Sequence, residues 1–529
     1  MISGFFRDDP SPRAASATAP SASPVVKTVE KGDTVFFGVV AGDEPNAVLA
    51  AEKVLKLGGT AVDAATVLAL SLTVTMPGAV SLGGGGVCLV HDDGKTVALD
   101  FIAPAPATKD RSADRPGAVP TLLRGVAAMH ARFGSIDLRS HLGKAEQMAR
   151  FGHVVSRASA KSLALAAGPL FSDPAARLIF ARPDGKPYGE GDQFIQLDLA
   201  ETFAKIRIGG VNSFYRGDLA RQFVNAARKA GAGLQVSDLQ KFSPQWRKPL
   251  EFRHGLEILK FAPSPAGAGM AVNRILAMVA IKDRYRRANE AERLHLLIEA
   301  SKRAFGARDA ALLGNGSKLS DAVAMMASFD AGRATPTRRL KPSPRGAPEN
   351  PAQTSFVVVD LVGQAVVCTL TNYNLFGIGR VAPGFGVVLA AAPGRGNRNA
   401  LSLGAVIAVS AEEQAFRFGG AASGGGAATT ALARVVAETL FSEKTLERAI
   451  ALPRVHHGGV PDVVLVEKSL PKGIATQLRG KGHRIESTPT LGLVNAAECP
   501  LGLGSGIEEI ACFVASDPRG DGLASEAER

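Results

Sequence analysis

The order of apolar and polar residues predicts alternating strands and helices in the first part of the chain. β-Branched and aromatic residues predict a strand from Thr34 to Val40. Pro45 suits the first turn of a helix, and apolar residues recur at helical spacing from Ala47 to Leu57. A second helix is predicted from Ala61 to Val74, followed by a hairpin over residues 87–101. This start is therefore a strand, two helices and a strand pair.

The rest of the chain repeats this alternation around a proline-rich connector. Residues 119–310 are predicted to be mainly helical, and residues 330–353 form a polar connector rich in proline. Beyond it the pattern predicts strands at 355–360, 365–371, 386–389, 406–409 and 463–466, and a helix over 428–441. Strand pairs interleaved with helix pairs favour helices packed on both faces of a sheet sandwich.

Composition and charge narrow the class of protein. The chain has 529 residues, 46% of them apolar, which is enough for a sizeable core. Its net charge is +12, but the basic runs at 282–287 and 338–345 are short and lack aromatic residues for stacking, so no nucleic-acid partner is expected. No uncharged apolar run is long enough to span a membrane, and no membrane partner is expected. Residues 1–30 are predicted to be a disordered tail without a secretory signal.

The four cysteines give no sign of a metal or disulfide framework. Cys88, Cys368, Cys499 and Cys512 lie far apart and form no CxxC pair. We therefore expect no zinc site, no disulfides and a reducing, cytoplasmic location, with a periplasmic location as the alternative if the start codon is misassigned. No cofactor is expected.

Several short sequence blocks follow one another in a fixed order. They include Gly-Gly-Thr-Ala-Val-Asp-Ala-Ala at 58–65, four glycines at 83–86, Leu-Asp-Phe at 99–101, Pro-Ser-Pro-Ala-Gly-Ala-Gly at 263–269, Phe-Gly at 376–377, Pro-Arg-Val-His-His at 453–457 and Ser-Asp-Pro-Arg at 516–519. On these blocks the chain resembles the γ-glutamyltranspeptidase (γ-glutamyltransferase) family over nearly its whole length.

This resemblance implies an N-terminal-nucleophile hydrolase fold, an α/β (α+β) four-layer αββα sandwich. Members are precursors that cut themselves at the connector, which here implies a large part (31–329) and a small part (354–529), intertwined as one domain. The new N-terminal threonine attacks the amide of a small γ-glutamyl compound such as glutathione and passes the acyl group to water or an amino acid. The pair Gly424-Gly425 matches the backbone donors that hold the oxyanion.

The position of the nucleophile is open between two residues. The family strand reads Thr-Thr-His-x-x-Val-Val-Asp, and counting back from Asp360 without a gap places Gln353 at the nucleophile. Glutamine has no hydroxyl, so this register predicts neither self-cleavage nor turnover. A one-residue deletion would instead make Thr354 the nucleophile. Such a slip turns a strand residue to the opposite face, so Thr354 would need a bulge or local shift.

Other positions match the family in part. Thr371 matches the threonine that hydrogen-bonds the nucleophile. Tyr373 replaces an asparagine, although Asn372 and Asn374 flank it as weak substitutes. Ser402 matches one of two serines that bind the substrate carboxylate, while Leu403 replaces the other.

The charges that recognise a γ-glutamyl group are replaced. The family places an arginine where this chain has Ile102, an aspartate where it has Arg395, and a polar ligand where it has Ala392. Loss of a charge-assisted bond in a partly desolvated site costs about 2–5 kcal/mol. Arg111 or Arg115 is a candidate replacement for the missing arginine.

Three hypotheses follow for the function. The first is a γ-glutamyl transferase or hydrolase acting through Thr354, the second is an uncut pseudoenzyme, and the third is an amidase for an acyl group without the glutamyl charges. The glycines at 83–86, Asp63 and His456-His457 are interpreted as scaffold rather than as phosphate, acid or metal sites.

Overall fold

Two antiparallel sheets lie face to face between two layers of helices. The computed structural model describes residues 30–31, 34–107, 113–306, 319–340, 352–394, 400–504 and 510–529. Most of the predicted tail and residues 341–351 of the connector lie outside these ranges. Within them, no helix is both long and apolar enough to cross a bilayer.

Twenty-one strands are described along the chain. They are β1 (Glu30–Lys31), β2 (Thr34–Gly42), β3 (Gly85–Asp92), β4 (Lys95–Phe101), β5 (His153–Val154), β6 (Gln193–Phe194), β7 (Gln245–Arg247), β8 (Leu250–His254), β9 (Glu257–Phe261), β10 (Gln353–Asp360), β11 (Ala365–Thr371), β12 (Val381–Ala382), β13 (Val387–Val388), β14 (Ala405–Ser410), β15 (Phe416–Ser423), β16 (Val455–His456), β17 (Val464–Glu467), β18 (Ile485–Thr488), β19 (Leu493–Leu503), β20 (Phe513–Ala515) and β21 (Leu523–Glu528).

Sixteen α-helices are described between these strands. They are α1 (Pro45–Lys56), α2 (Ala61–Thr75), α3 (Leu122–Phe133), α4 (Leu138–Phe151), α5 (Arg157–Leu170), α6 (Pro174–Phe180), α7 (Leu197–Gly209), α8 (Gly217–Lys229), α9 (Val236–Lys241), α10 (Gly267–Val279), α11 (Arg284–Arg287), α12 (Glu290–Gly306), α13 (Leu319–Met325), α14 (Gly426–Val436), α15 (Leu446–Ala451) and α16 (Lys472–Gly480).

The first large sheet mixes strands from both sides of the connector. Its order is β1-β2-β10-β11-β3-β4-β7, and β21 also pairs with β2. The central strands β10 and β11 follow the connector, whereas their neighbours β2 and β3 precede it. The second sheet, in the order β20-β19-β15-β14-β9-β8, also combines segments from both sides. The predicted large and small parts are therefore interwoven in the fold.

Apolar residues fill three layers around these sheets. One cluster joins α1 and α2 to one face of the first sheet, and another joins α10, α12 and α14 to the second sheet. Between the sheets, Val357 and Val359 of β10 pack with Ala405 and Ile407 of β14. The predicted four-layer αββα sandwich is confirmed.

Most predicted elements form where the pattern places them, with one error in the middle of the chain. Residues 119–310 include the strands β7, β8 and β9, which belong to the two large sheets. These strands are only three to five residues long. Strands this short give little periodic signal, so the prediction of a mainly helical segment missed them.

The residues interpreted above as scaffold, Asp63, His456 and His457, have polar partners within the fold. Thr60 and Asp63 form a reciprocal cap at the start of α2, and Asp63 also accepts hydrogen bonds from Ser135 and Ile136. His456 lies 3.0 Å from the Thr430 hydroxyl, and His457 lies 3.1 Å from the Asp462 carboxylate.

The four glycines at 83–86 allow backbones to approach closely. A Cβ at Gly84 would lie 2.6 Å from the Thr371 carbonyl oxygen, and one at Gly86 would lie 2.3 Å from that of Thr369. Backbone packing, rather than a phosphate loop, accounts for these glycines.

The cysteine prediction is wrong. Cys88 is bonded to Cys368 and Cys499 to Cys512, which leaves no free cysteine among the described residues. The first pair is separated by 280 residues in sequence but lies directly opposite across β3 and β11. Spacing along the chain cannot show a pair that sheet topology creates.

Candidate active site

Gln353 lies at the start of β10, where several family positions meet. Its side chain faces the second sheet, since Val357 and Val359 on the same face of β10 pack between the sheets. The Gln353 amide nitrogen donates to the Ser402 carbonyl at 2.8 Å and to the Ala422 carbonyl at 3.1 Å. The side chain is 3% exposed, and its amide oxygen has no partner among the described residues.

Thr354 lies on the other face of the same strand. It alternates with Phe356 and Val358, which pack in the cluster that contains α1 and α2. The Thr354 side chain is fully buried, and its hydroxyl is one of the groups that oppose the rise in the pKa of the Asp43 carboxyl. The strand is regular here, with Gln353 paired to Thr371 and Thr354 paired to Leu370. The described ladder between β10 and β11 thus contains no bulge that would turn Thr354 toward the second sheet.

Thr371 contacts the peptide bond that precedes Gln353. Its hydroxyl donates to the Ala352 carbonyl at 2.7 Å and accepts a hydrogen bond from the Tyr373 N–H at 2.8 Å. The Ala352 carbonyl belongs to the bond that a nucleophile at position 353 would attack. The Thr371 hydroxyl is therefore placed to hydrogen-bond the carbonyl oxygen of the peptide bond before position 353.

Gly424 and Gly425 form the turn between β15 and α14. Their φ angles are +109° and +70°, in the region that favours glycine. Gly425 is the N-cap of α14, so backbone N–H groups at this turn lack helical partners and can bind negative charge. The turn begins two residues after Ala422, whose carbonyl accepts from Gln353. Gln353 thus reaches the strand end that leads into this turn.

The three predicted ligand residues differ in their surroundings. Ser402 ends a single 3₁₀ turn (Ala400–Ser402), and its carbonyl contacts Gln353. The Asn372 amide is fully buried; it accepts from the Ser81 hydroxyl at 3.0 Å and donates to the Pro77 carbonyl at 3.0 Å. Asn374 is half-buried in the following turn, where its carbonyl accepts from the Gly377 N–H. Of the three, Ser402 directly contacts Gln353 through its backbone.

Tyr373 occupies the position of the family asparagine in an unusual backbone conformation. Its φ angle is +63°, and its phenol donates to the Ala103 carbonyl at 2.8 Å. Burial, together with the nearby Asp100 charge, raises the pKa of the Tyr373 phenol well above its usual value. The phenol therefore stays protonated and acts as a hydrogen-bond donor.

The positions expected to recognise a glutamyl group are apolar where the structure describes them. Ile102 is half-buried against two apolar clusters, and Ala392 is 4% exposed. Arg115 is exposed and donates to the Ile378 carbonyl at 3.0 Å. Arg111 and Arg395 lie outside the described residues.

A buried polar group beside the site was missed in the sequence. The Asp43 carboxylate accepts from the Ser355 N–H at 2.9 Å and from the Asn495 amide at 2.7 Å. Asn495 also donates to the Ser355 hydroxyl. Burial raises the pKa of Asp43, although these donors oppose the rise. Ser355 lies 312 positions after Asp43 and 140 positions before Asn495. The one sequence signal for this group was an acid three residues after the predicted strand that ends at Val40.

The structure thus brings the Thr371 hydroxyl and the strand end before the Gly424-Gly425 turn to the Gln353 carboxamide. Acyl transfer needs a nucleophile such as a hydroxyl, which this side chain lacks. An uncharged carboxamide cannot form an acyl ester, although it can hydrogen-bond a ligand.

Comparisons with known proteins agree with the fold. A family model for gamma-glutamyltranspeptidase matches residues 47–527. The chain is 28% identical to the glutathione hydrolase proenzyme of Escherichia coli strain K12, over 90% of this chain and 91% of that protein. It is also 28% identical to the Acylase ACY 1 proenzyme of Pseudomonas sp. strain SE83, over 85% and 88% of the two chains. The cephalosporin acylase from Bacillus halodurans has the same fold, with a TM-score of 0.80 at 24% identity, over 96% of this chain and 98% of that chain.

Proposed function

The chain belongs to the γ-glutamyltranspeptidase family, and from this premise we propose that it binds an acyl amide beside Gln353 as an uncut, catalytically impaired protein. The single observation that carries this proposal is the place of the Gln353 side chain. It reaches the Ser402 carbonyl and the Ala422 carbonyl, and Ala422 lies two residues before the Gly424-Gly425 turn. Thr354 faces the helices instead.

Self-cleavage in this family needs a hydroxyl that attacks the carbonyl before it. Position 353 adjoins the Ala352 carbonyl that Thr371 binds at 2.7 Å, yet its amide nitrogen is a poor nucleophile. For Thr354 to act, its hydroxyl would have to move to the opposite face of β10, and the Gln353–Thr371 pairing would have to break. The intact ladder supports a single uncut chain.

The ligand class follows from the lining of the site. The half-buried Ile102 provides apolar surface where a glutamyl carboxylate needs a cation. The unpaired Gln353 amide oxygen is a buried acceptor, which suits an N–H donor on the ligand. We therefore propose a small amide or peptide with an uncharged acyl group.

A second candidate function is an amidase that acts through Thr354. The relatives favour it, because they include an acylase proenzyme as well as a glutathione hydrolase proenzyme at equal identity. In this case a local shift of the processed terminus would bring Thr354 to the glycine turn. γ-Glutamyl compounds such as glutathione remain the poorer substrates, for the reasons given for Ile102.

We also propose a cellular compartment other than the cytoplasm predicted from the sequence. Two disulfides join all four cysteines, and such bonds persist in oxidising compartments. We infer that the protein folds outside the reducing cytoplasm.

A denaturing gel of the purified protein, run with reductant, separates the two candidate functions. We expect one band near 54.8 kDa that persists on incubation. Two fragments, the smaller beginning with Thr354, would overturn the proposal in favour of the amidase. Assays with a γ-glutamyl anilide and with simple acyl anilides then test for activity and substrate class. Turnover of either kind of anilide would contradict the proposal that the protein is catalytically impaired. A preference for the γ-glutamyl anilide would also contradict the proposed ligand class.

A further inference from the structure

The Cys88–Cys368 bond joins strands from opposite sides of the connector. Cys88 lies on β3 in the predicted large part, and Cys368 lies on β11 in the predicted small part. We propose that this disulfide is a covalent link between the two parts, which holds them together whenever the chain is cut within residues 330–353.

The link lies where the two parts meet in the first sheet. Strands β10 and β11 of the small part are flanked by β2 and β3 of the large part, and β21 of the small part also pairs with β2. The crossings from β2 to β10 and from β2 to β21 rely on hydrogen bonds and packing. The third crossing, between β11 and β3, also carries the disulfide.

The second disulfide provides an internal comparison. Cys499 and Cys512 both lie in the small part, 13 residues apart. Their bond closes a short loop beside β19 and β20 and cannot connect the two parts. Of the two bonds, Cys88–Cys368 alone crosses the connector.

Burial protects the link once the protein has folded. Cys88 is 1% exposed and Cys368 is 0% exposed, within the cluster that includes Leu99, Phe356 and Leu370. Reduction requires a thiolate to attack one of the sulfurs, which this packing prevents. The link should therefore resist reductant in the native protein and yield only after unfolding.

Formation of the bond requires a defined oxidant. The two thiols lose two protons and two electrons when the bond forms. A protein or small molecule that carries a reactive disulfide accepts them by thiol–disulfide exchange and is reduced to a dithiol. This exchange must occur before β3 and β11 close against the helices. The inference thus places bond formation during folding in an oxidising compartment.

The test does not depend on whether the protein cuts itself. A recognition sequence for a site-specific protease is placed within residues 341–351, and the purified, cut protein is run on denaturing gels with and without reductant. We expect one band of unchanged mass without reductant and two fragments with it. If the wild-type chain proves to be self-cleaved, the same gels apply to it directly, so failure of the proposed function and failure of the link are distinguishable.

Two double variants serve as matched tests. Cys88→Ser with Cys368→Ser should release the fragments without reductant, whereas Cys499→Ser with Cys512→Ser should leave them linked. If the first variant does not fold, peptide mapping of unreduced wild-type protein must still recover the Cys88 and Cys368 peptides as one linked species. Release of fragments from unreduced protein with wild-type cysteines, or recovery of Cys88 and Cys368 as free thiols, would overturn the proposal.

Discussion

Replacing Gln353 by threonine should turn the uncut chain into a self-cleaving one. The substitution Gln353→Thr places a hydroxyl beside the Ala352 carbonyl, which Thr371 already binds at 2.7 Å. That carbonyl oxygen becomes negative when the hydroxyl attacks. The Thr371 hydroxyl is thus positioned as its donor, in the manner of an oxyanion hole.

The variant should remain folded. It loses the two hydrogen bonds that the Gln353 amide donates to the Ser402 and Ala422 carbonyls. At about 0.5–1.5 kcal/mol for each bond, the cost is about 1–3 kcal/mol. This is smaller than the typical stability of a folded protein, about 5–15 kcal/mol.

Three further variants isolate the chemistry. Gln353→Ala removes the same amide without adding a hydroxyl and should stay uncut. Adding Thr371→Ala to Gln353→Thr removes the donor to Ala352 and should slow cleavage by about 10²–10³-fold. Adding Thr354→Ala to Gln353→Thr should leave cleavage intact, because the Thr354 side chain faces the helices.

The assay is a time course on reducing gels, followed by N-terminal sequencing of the smaller fragment. We expect a fragment that begins at position 353. A folded Gln353→Thr protein that stays uncut, or one whose fragment begins at Thr354, would refute the assignment of Gln353 to the nucleophile position.

The other predictions concern specificity, pH dependence and stability. In the Gln353→Thr background, Ile102→Arg should raise kcat/KM for a γ-glutamyl anilide relative to an acyl anilide by about 30-fold. This factor is equivalent to about 2 kcal/mol from one charge-assisted bond. An unchanged ratio would show that Ile102 does not face the acyl group. Burial raises the pKa of Asp360 from its ordinary value of 3.8 to about 7. Between these pH values the unfolded chain loses this proton first, so stability should fall by about 1.4 kcal/mol per pH unit and level off above pH 7. Denaturant unfolding of wild type and Asp360→Asn from pH 4 to 8 checks this, since parallel curves would exclude the effect. Finally, Cys88→Ser with Cys368→Ser should lower the unfolding free energy by about 5 kcal/mol, because the bond closes a 280-residue span, and a loss below 1 kcal/mol in chemical denaturation would contradict this.

The sequence predicted the layers of the fold better than its pairings. Helix α1 was predicted from Pro45 and the apolar spacing that follows, and it forms over Pro45–Lys56. The strands β10 and β11 were also predicted, at 355–360 and 365–371, because both segments are continuously apolar and a short turn separates them. In contrast, β9 pairs with β14 across the connector, and no local pattern encodes such a distant partner.

The sequence predicted which residues form the candidate site but not which way their side chains point. The motif register named Gln353, Thr371 and the Gly424-Gly425 turn before any geometry was known. It left open whether Gln353 or Thr354 faces the second sheet, because β10 is apolar on both faces and alternation alone cannot assign an inner face. Packing of Val357 against the second sheet decides which way each side chain points.

Polar partners that are distant in the sequence could not be predicted, for a related reason. Asp43, Ser355 and Asn495 meet only after three strands from different parts of the chain have packed. The cysteines posed the same problem, since Cys88 and Cys368 become neighbours through the order of strands in the sheet.

Peptide mapping of the reduced wild-type protein shows whether the chain stays uncut at Gln353. Trypsin should release one peptide from Gly346 to Arg380, which includes Ala352, Gln353 and Thr354 in unbroken order. We expect this intact peptide even after long incubation of the native protein. A peptide that starts at Thr354 and ends at Arg380 would contradict a single uncut chain.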